Sequence, residues 1–250
     1  MSIFSVLKRL FDRGKDPPGC SVVIAAAGSS QRMCGDDKLY LNINGAPVLA
    51  HTLIAFQRNT GVSEIIVVSR EECFELVSGI CKKHGITKAL RIMKGGDTRL
   101  DSVMNGVFAV SKNAKLIAIH DGARPCIDPG IIDATIAAAE KHNAAAPAIS
   151  VIPTLKKVRD GVIVETVDRQ ELFEIQTPQI FDADIIKAAL TKVKKENIDV
   201  TDDCMAVELL GFPIHVTEGS SSNIKLTTSD DLILADAILS NRGVIADVES

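Results

Sequence analysis

Residues 20–38 read CSVVIAAAGSSQRMCGDDK, and this stretch decides the fold. Ser21–Ala27 is a short, uninterrupted apolar run of strand length, as a strand buried on both faces requires. A loop of small residues follows, with two cations in it, Arg32 and Lys38. Similar runs recur at Glu64–Ser69, Ala89–Met93, Leu116–His120 and Ala146–Ile152. Between them lie helix-period stretches at Pro47–Asn59, Glu71–His84, Arg99–Ser111 and Pro129–Asn143. This alternation implies right-handed crossovers and an α/β fold with a mostly parallel twisted sheet. Ligands of such sheets sit beyond the carboxyl ends of the strands. Three loops are therefore singled out: Gly28–Lys38, Gly95–Arg99 and Asp121–Pro125.

Farther along, LKKVRDGVIVETVDR breaks the rhythm. It reads as two strands around Asp160-Gly161, a strong hairpin-turn dipeptide. A projecting β-hairpin arm is expected at about 154–175, pairing with a partner subunit or packing back on its own chain. Helical patterns return at Asp182–Glu196 and Asp202–Leu210, then a strand at Pro213–Glu218 and a last helix at about Asp230–Leu239. The expected organisation is an N-terminal extension (1–19), a single domain (20–242) and a C-terminal tail (243–250). In the extension, Ile3, Val6, Leu7, Leu10 and Phe11 fall at helical spacing beside Lys8, Arg9, Arg13 and Lys15. It reads as an appendage packed or frayed, ahead of a surface-binding helix.

The 250 residues are 46% hydrophobic and 24% charged, which excludes disorder over most of the chain. The net charge of −4 argues against a broad nucleic-acid surface. Trp is absent and Tyr40 is the sole Tyr, which argues against stacking platforms for single strands. No apolar run reaches the roughly 18 residues of a membrane span, and Lys8 and Arg9 interrupt any signal-peptide core. Six cysteines without a CxxC read as free thiols in a cytoplasmic protein.

Four constellations carry chemistry. In AAAGSSQRMCGDDK (25–38), small residues let backbone N–H groups approach an anion or a base, and Arg32 and Lys38 neutralise phosphate charge. A tight connection with surface cations explains the same residues. In KGGDTRLDSV (94–103), Gly95-Gly96 offers a second close approach, and Asp97 or Thr98 caps a helix. In HDGARP (120–125), Asp121 ends a buried strand and needs a partner. It can bind a metal or a hydroxyl, and Arg124 a phosphate; an internal Asp121–Arg124 pair is the lesser alternative. His120 reads as a packing residue. The fourth set is scattered: Thr154, Arg169, Thr177-Pro178-Gln179 and Asn223-Ile224-Lys225.

These motifs, with TVDR, QTPQIF and NIKLT in register over about residues 20–240, resemble the 2-C-methyl-D-erythritol 4-phosphate cytidylyltransferases. The resemblance implies a Rossmann-like nucleotidyltransferase with a projecting arm, acting as a homodimer on CTP and a sugar-alcohol phosphate, with Mg²⁺. It implies that Ala26, Ala27, Gly28, Gly96, Asp97 and Ser102 hold the nucleotide. Arg32 and Lys38 would grip the triphosphate. Arg169, Lys225 and Thr154 would position the attacking phosphate. Asp121, Arg124 and Thr177 would meet the acceptor's hydroxyls. If the arms exchange, Thr154 and Arg169 serve the neighbour's site. Two departures stand out. Asp37 precedes the lysine where the family often has Pro, which adds a negative charge beside Lys38, and Gly122 replaces a common Ala.

The charges support this reading. Two like charges about 4 Å apart repel by ~4 kcal/mol at an effective dielectric of 20. Mg²⁺ with Arg32, Lys38, Arg169 and Lys225 supplies about six positive charges, near the total on a triphosphate and a monoester. No general base is needed, because the monoester is already ionised. The nearest rival is a ribitol-5-phosphate cytidylyltransferase, then a sugar-1-phosphate nucleotidyltransferase using another base. A non-catalytic nucleotide-binding module would have lost the cations. An NAD-type enzyme lacks its GxGxxG here.

Overall fold

The computed structural model describes residues 19–28 and 37–243. The expectations for residues 1–18, Arg32 and residues 244–250 lie outside them. Strand β1 (Cys20–Ala26) is the axis of the molecule. A small hairpin follows, β2 (Asn42–Ile43) and β3 (Ala46–Pro47), then helix α1 (Val48–Arg58). Next come β4 (Val62–Ser69), α2 (Phe74–Lys83), β5 (Ala89–Lys94), α3 (Arg99–Ala109) and β6 (Leu116–Asp121). After α4 (Pro129–His142) and β7 (Ala144–Ser150) the arm strands β8 (Leu155–Arg159) and β9 (Val162–Val167) stand out. The chain continues with β10 (Phe173–Ile175), β11 (Gln179–Asp182), α5 (Ala183–Lys195), α6 (Asp203–Glu208), β12 (His215–Glu218) and α7 (Ser229–Arg242).

The main sheet runs β10-β7-β11-β6-β1-β4-β5, with β12 also paired to β7. β1 is parallel to both β4 and β6. Its alternation sorts the core: Val22 and Ile24 face one cluster with α1, α2, α4 and α7, while Val23 faces the other with α3, α5 and α6. Burial on both faces explains the continuous apolar run. The chain passes from β1 to β4 and β5 on one side, then to β6 on the other. The reversal of strand order therefore falls at β1, and a crevice opens there. Helix α3 is drawn close to the sheet because Gly106 has no Cβ; one placed there would lie 2.4 Å from Val23 Cγ1.

Several expectations need correction. The apolar pattern does not mark β11 as a strand, yet it lies antiparallel between β6 and β7, burying Ile180 in one core cluster and Phe181 in the other. Residues 173–175 do not belong to the arm, because β10 pairs with β7 in the main sheet. The arm proper is β8–β9, turned through Asp160 (φ 49°) and Gly161 (φ 78°). Asn44-Gly45 makes a second turn with positive φ, between β2 and β3. The free-thiol reading holds for Cys20, Cys81, Cys126 and Cys204, whereas Cys73 is disulfide-bonded. Among the described residues no helix is long and apolar enough to cross a membrane.

Candidate active site

A cleft of about 500 Å³ opens over the carboxyl ends of β1, β5 and β6. Ala27 and Gly28 continue β1 into its wall. The opposite wall is Gly96, Asp97 and Thr98, leading into α3. Gly95 is required where these walls meet, since a Cβ on it would lie 2.4 Å from the Ala27 Cβ. The Ser102 hydroxyl accepts from the Gly96 N–H at 3.0 Å, fixing the glycine loop from inside the helix. Thr98, not Asp97, caps α3, its Oγ1 accepting from the Asp101 N–H at 3.1 Å.

Lys38 lies on the rim in a 3-10 turn, Lys38–Tyr40. Asp37 caps that turn, its Oδ1 accepting from the Leu39 N–H at 3.2 Å. Its Oδ2 meets Arg70 Nη2 at 3.2 Å. The negative charge next to Lys38 in sequence is thus buried against a second cation.

Asp121 and Lys225 close the cleft's mouth. Lys225 Nζ lies 3.0 Å from Asp121 Oδ2, and Arg124 Nε lies 3.4 Å from the same oxygen. Burial pushes the Asp121 carboxyl up, but Lys225, Arg124 and Arg99 outweigh it and hold it below its usual range. Arg124 is 6% exposed and donates to the Asn223 carbonyl at 2.6 Å. The internal pair, the lesser alternative on sequence, is therefore present, and Arg124 supports Asp121 from behind. Thr177 is equally turned inward: its Oγ1 accepts from the Asp121 N–H at 3.2 Å and lies 3.0 Å from His120 Nδ1. Burial drives His120 down to about 3, and its ring packs edge-on against Phe56, so it is a neutral packing residue.

Arg99 is a cleft cation that sequence reasoning missed. It lines the wall and donates to both Asp203 oxygens, at 3.1 and 2.7 Å. Burial opposes its charge, and Asp203 outweighs burial and raises its pKa. Gln179 supports this pair: its Oε1 accepts from the Asp203 and Cys204 N–H groups at 3.1 Å, capping α6. The signal was present, since Arg99 stands inside GGDTR and Gln179 inside TPQ.

Of the expected site residues, Ala27, Gly28, Lys38, Gly96, Asp97, Ser102, Asp121 and Lys225 share this cleft. Ala26 is buried beneath it. Thr154 and Arg169, at the two ends of the arm, are exposed and do not line it. Groups of three or more His, Cys, Asp or Glu that could hold a metal are absent among the described residues. Mg²⁺ needs only one or two carboxylates when phosphate oxygens complete its shell. Asp121 fits that role: among the described residues its Oδ2 is shared by two cations, and Oδ1 is left for a ligand.

The family model for 2-C-methyl-D-erythritol 4-phosphate cytidylyltransferase matches residues 20–241. The chain belongs to this family. The cytidylyltransferase of Halalkalibacterium halodurans is 40% identical over 223 residues, covering 89% of this chain and 97% of that one. That of Clostridium novyi is 41% identical over 225 residues, covering 89% and 96%. The crystal structure of 4-diphosphocytidyl-2C-methyl-D-erythritol synthase from Anaerococcus prevotii superposes with a TM-score of 0.80 at 32% identity, covering 90% of this chain and all of that one. This cytidylyltransferase therefore has a nucleotidyltransferase sheet with its cleft at the strand reversal.

Proposed function

We propose that this cleft binds CTP with Mg²⁺ and that the phosphate of 2-C-methyl-D-erythritol 4-phosphate attacks the α-phosphorus, releasing pyrophosphate. The observation that carries the reading is the Asp121–Lys225 pair at the mouth of a cleft floored by small residues. Ala27, Gly28, Gly96, Asp97 and Ser102 take the cytidine portion, with Ala26 beneath. Gly28 and Gly96 support this, because both line the cleft, are exposed and carry no side chain to cover their backbone.

Lys38, with Arg32, neutralises the triphosphate and the charge that develops on the leaving pyrophosphate. Lys225 orients the attacking phosphate. Asp121 holds Lys225 and faces the acceptor's hydroxyls or the metal. Asp121 is the residue that would hold Mg²⁺, which would supply further charge neutralisation when bound. No residue has to remove a proton, since the nucleophile is an ionised monoester. Catalysis is then positioning and charge stabilisation.

The protein acts as a homodimer through its arm. Among the described residues β8 and β9 pair only with each other, and Val158, Val162, Ile163 and Val164 are 54–64% exposed. An isolated two-stranded hairpin is marginal in water, and such an apolar surface calls for a cover. The placement of Arg169 and Thr154 away from their own cleft supports their serving the neighbour's.

The test is pyrophosphate release with CTP and Mg²⁺, offering methylerythritol phosphate and ribitol 5-phosphate in parallel. Release with the first alone is expected. Release with ribitol 5-phosphate would keep the chemistry and replace the acceptor.

A further inference from the structure

The loop that carries Lys225 is gripped from behind by one buried amide. Gln176 is 2% exposed and joins β10 to β11. Its Oε1 accepts from the Ser220 N–H and from Asn223 Nδ2, both at 3.2 Å. Its Nε2 donates to the Ser220 carbonyl at 2.8 Å. Both ends of the amide are spent on the segment just before Lys225. Gly219 makes room for this grip, because a Cβ there would lie 2.8 Å from Gln176 Oε1.

Lys225 is then bracketed. On one side, Asn223 is fully buried, and its Nδ2 also donates to the Thr177 carbonyl at 3.0 Å. On the other, the Leu226 N–H donates to the Ala123 carbonyl at 2.9 Å. Its own side chain is nearly half exposed, so its direction depends on this backbone frame. The residue after Gln176, Thr177, fixes the backbone of Asp121. Two consecutive residues thus set the two halves of the pair at the cleft's mouth.

We propose that Gln176 is a positioning residue for the transfer, acting through Lys225 and touching neither substrate. The proposal rests on the role given to Lys225 above. Misplacing a reacting group by about 1 Å can cost ~100-fold in rate. Gln176→Met keeps the side chain's length and removes its three hydrogen bonds.

The experiment is a kinetic cycle with wild type, Gln176→Met, Lys225→Ala and the double variant. Gln176→Met is expected to lower kcat/KM for the acceptor by about 10- to 100-fold and to leave the KM for CTP unchanged. In the Lys225→Ala background the same change should add less than about twofold, because the residue it acts through is gone. An equal factor in both backgrounds, or full activity in folded Gln176→Met, overturns the proposal. If Gln176→Met does not fold, Gln176→Glu, which keeps the acceptor oxygen and loses the donor, runs the same cycle.

A second readout does not depend on turnover. Reductive methylation of Lys225, followed by peptide mass, should speed up in the Gln176 variant as the lysine loosens from Asp121. An unchanged rate overturns the positioning role. A wild type that releases no pyrophosphate with CTP and methylerythritol phosphate instead overturns the functional reading, while the labelling still decides the role of Gln176.

Discussion

Lys225 and Asp121 stand 104 residues apart in sequence and meet at 3.0 Å over the cleft. Asp121 is the buried member, so the pair's stability lies mainly in its carboxylate. Its folded pKa is depressed. Such a group adds stability above its unfolded pKa and loses it as pH falls through the folded value. Asp121→Asn should cost about 1–3 kcal/mol near neutral pH, and the gap should close below about pH 4. Urea unfolding across pH measures this. A gap that persists unchanged into acid would contradict it.

Lys38 reaches the cleft from a turn whose shape does not depend on its own side chain. Lys38→Ala should therefore leave the melting temperature within a degree or so while kcat/KM for CTP falls by about 100-fold or more. Unchanged kcat/KM would remove Lys38 from the mechanism.

Gly95 stands where the two walls meet, and a methyl there collides with Ala27. Gly95→Ala should destabilise the protein by about 1–3 kcal/mol and weaken CTP binding together. Calorimetric titration of CTP beside a thermal melt checks both. Normal nucleotide affinity would mean that the slot is not the nucleotide's.

Asp203 is 1% exposed and its guanidinium partner lines the cleft. Arg99→Ala leaves a buried carboxylate without its guanidinium partner, and because the Arg99 side chain is itself 38% exposed the cost should be about 1–3 kcal/mol. Adding Asp203→Ala should recover part of that loss. A double variant as unstable as the sum of the two single ones would show no coupling.

The arm's exposed apolar residues give a separate test. Ile163 is 62% exposed on β9. Ile163→Asp should shift the protein toward monomer in light scattering while leaving the body's melting transition in place. A dimer unaffected by this change and by Val158→Asp would move the subunit interface away from the arm.

The parallel strands could be read from sequence because a strand covered on both faces leaves an uninterrupted apolar run. β1 and β4 are such runs. β11 could not, since QIFD is four residues long and its second half leads straight into a helix. The β2–β3 turn had its signal in Asn44-Gly45, but each flanking strand has only two residues. Lys38, Asp121 and Lys225 are visible as charges in unusual places. Arg99 is visible only as a member of GGDTR and not as an ion-pair partner, because an arginine in a helix's first turn normally faces water. Its partner lies 104 residues away, and only folding brings the two together. Arg124 and Thr177 read as substrate contacts in sequence, because sequence cannot tell a side chain facing a cleft from one bracing its wall.

β1 is hydrogen-bonded along both edges, to β4 and to β6, and most of its residues are completely shielded from water. Amides so placed exchange with deuterium only when the whole domain opens. The cleft's floor is then among the last parts of the protein to soften, and the buried Asn223 and Leu226 fasten the segment that carries Lys225 to the same body. Substrate would meet a stiff base, and because binding stabilises the folded state as a whole, it should slow exchange in β1 too.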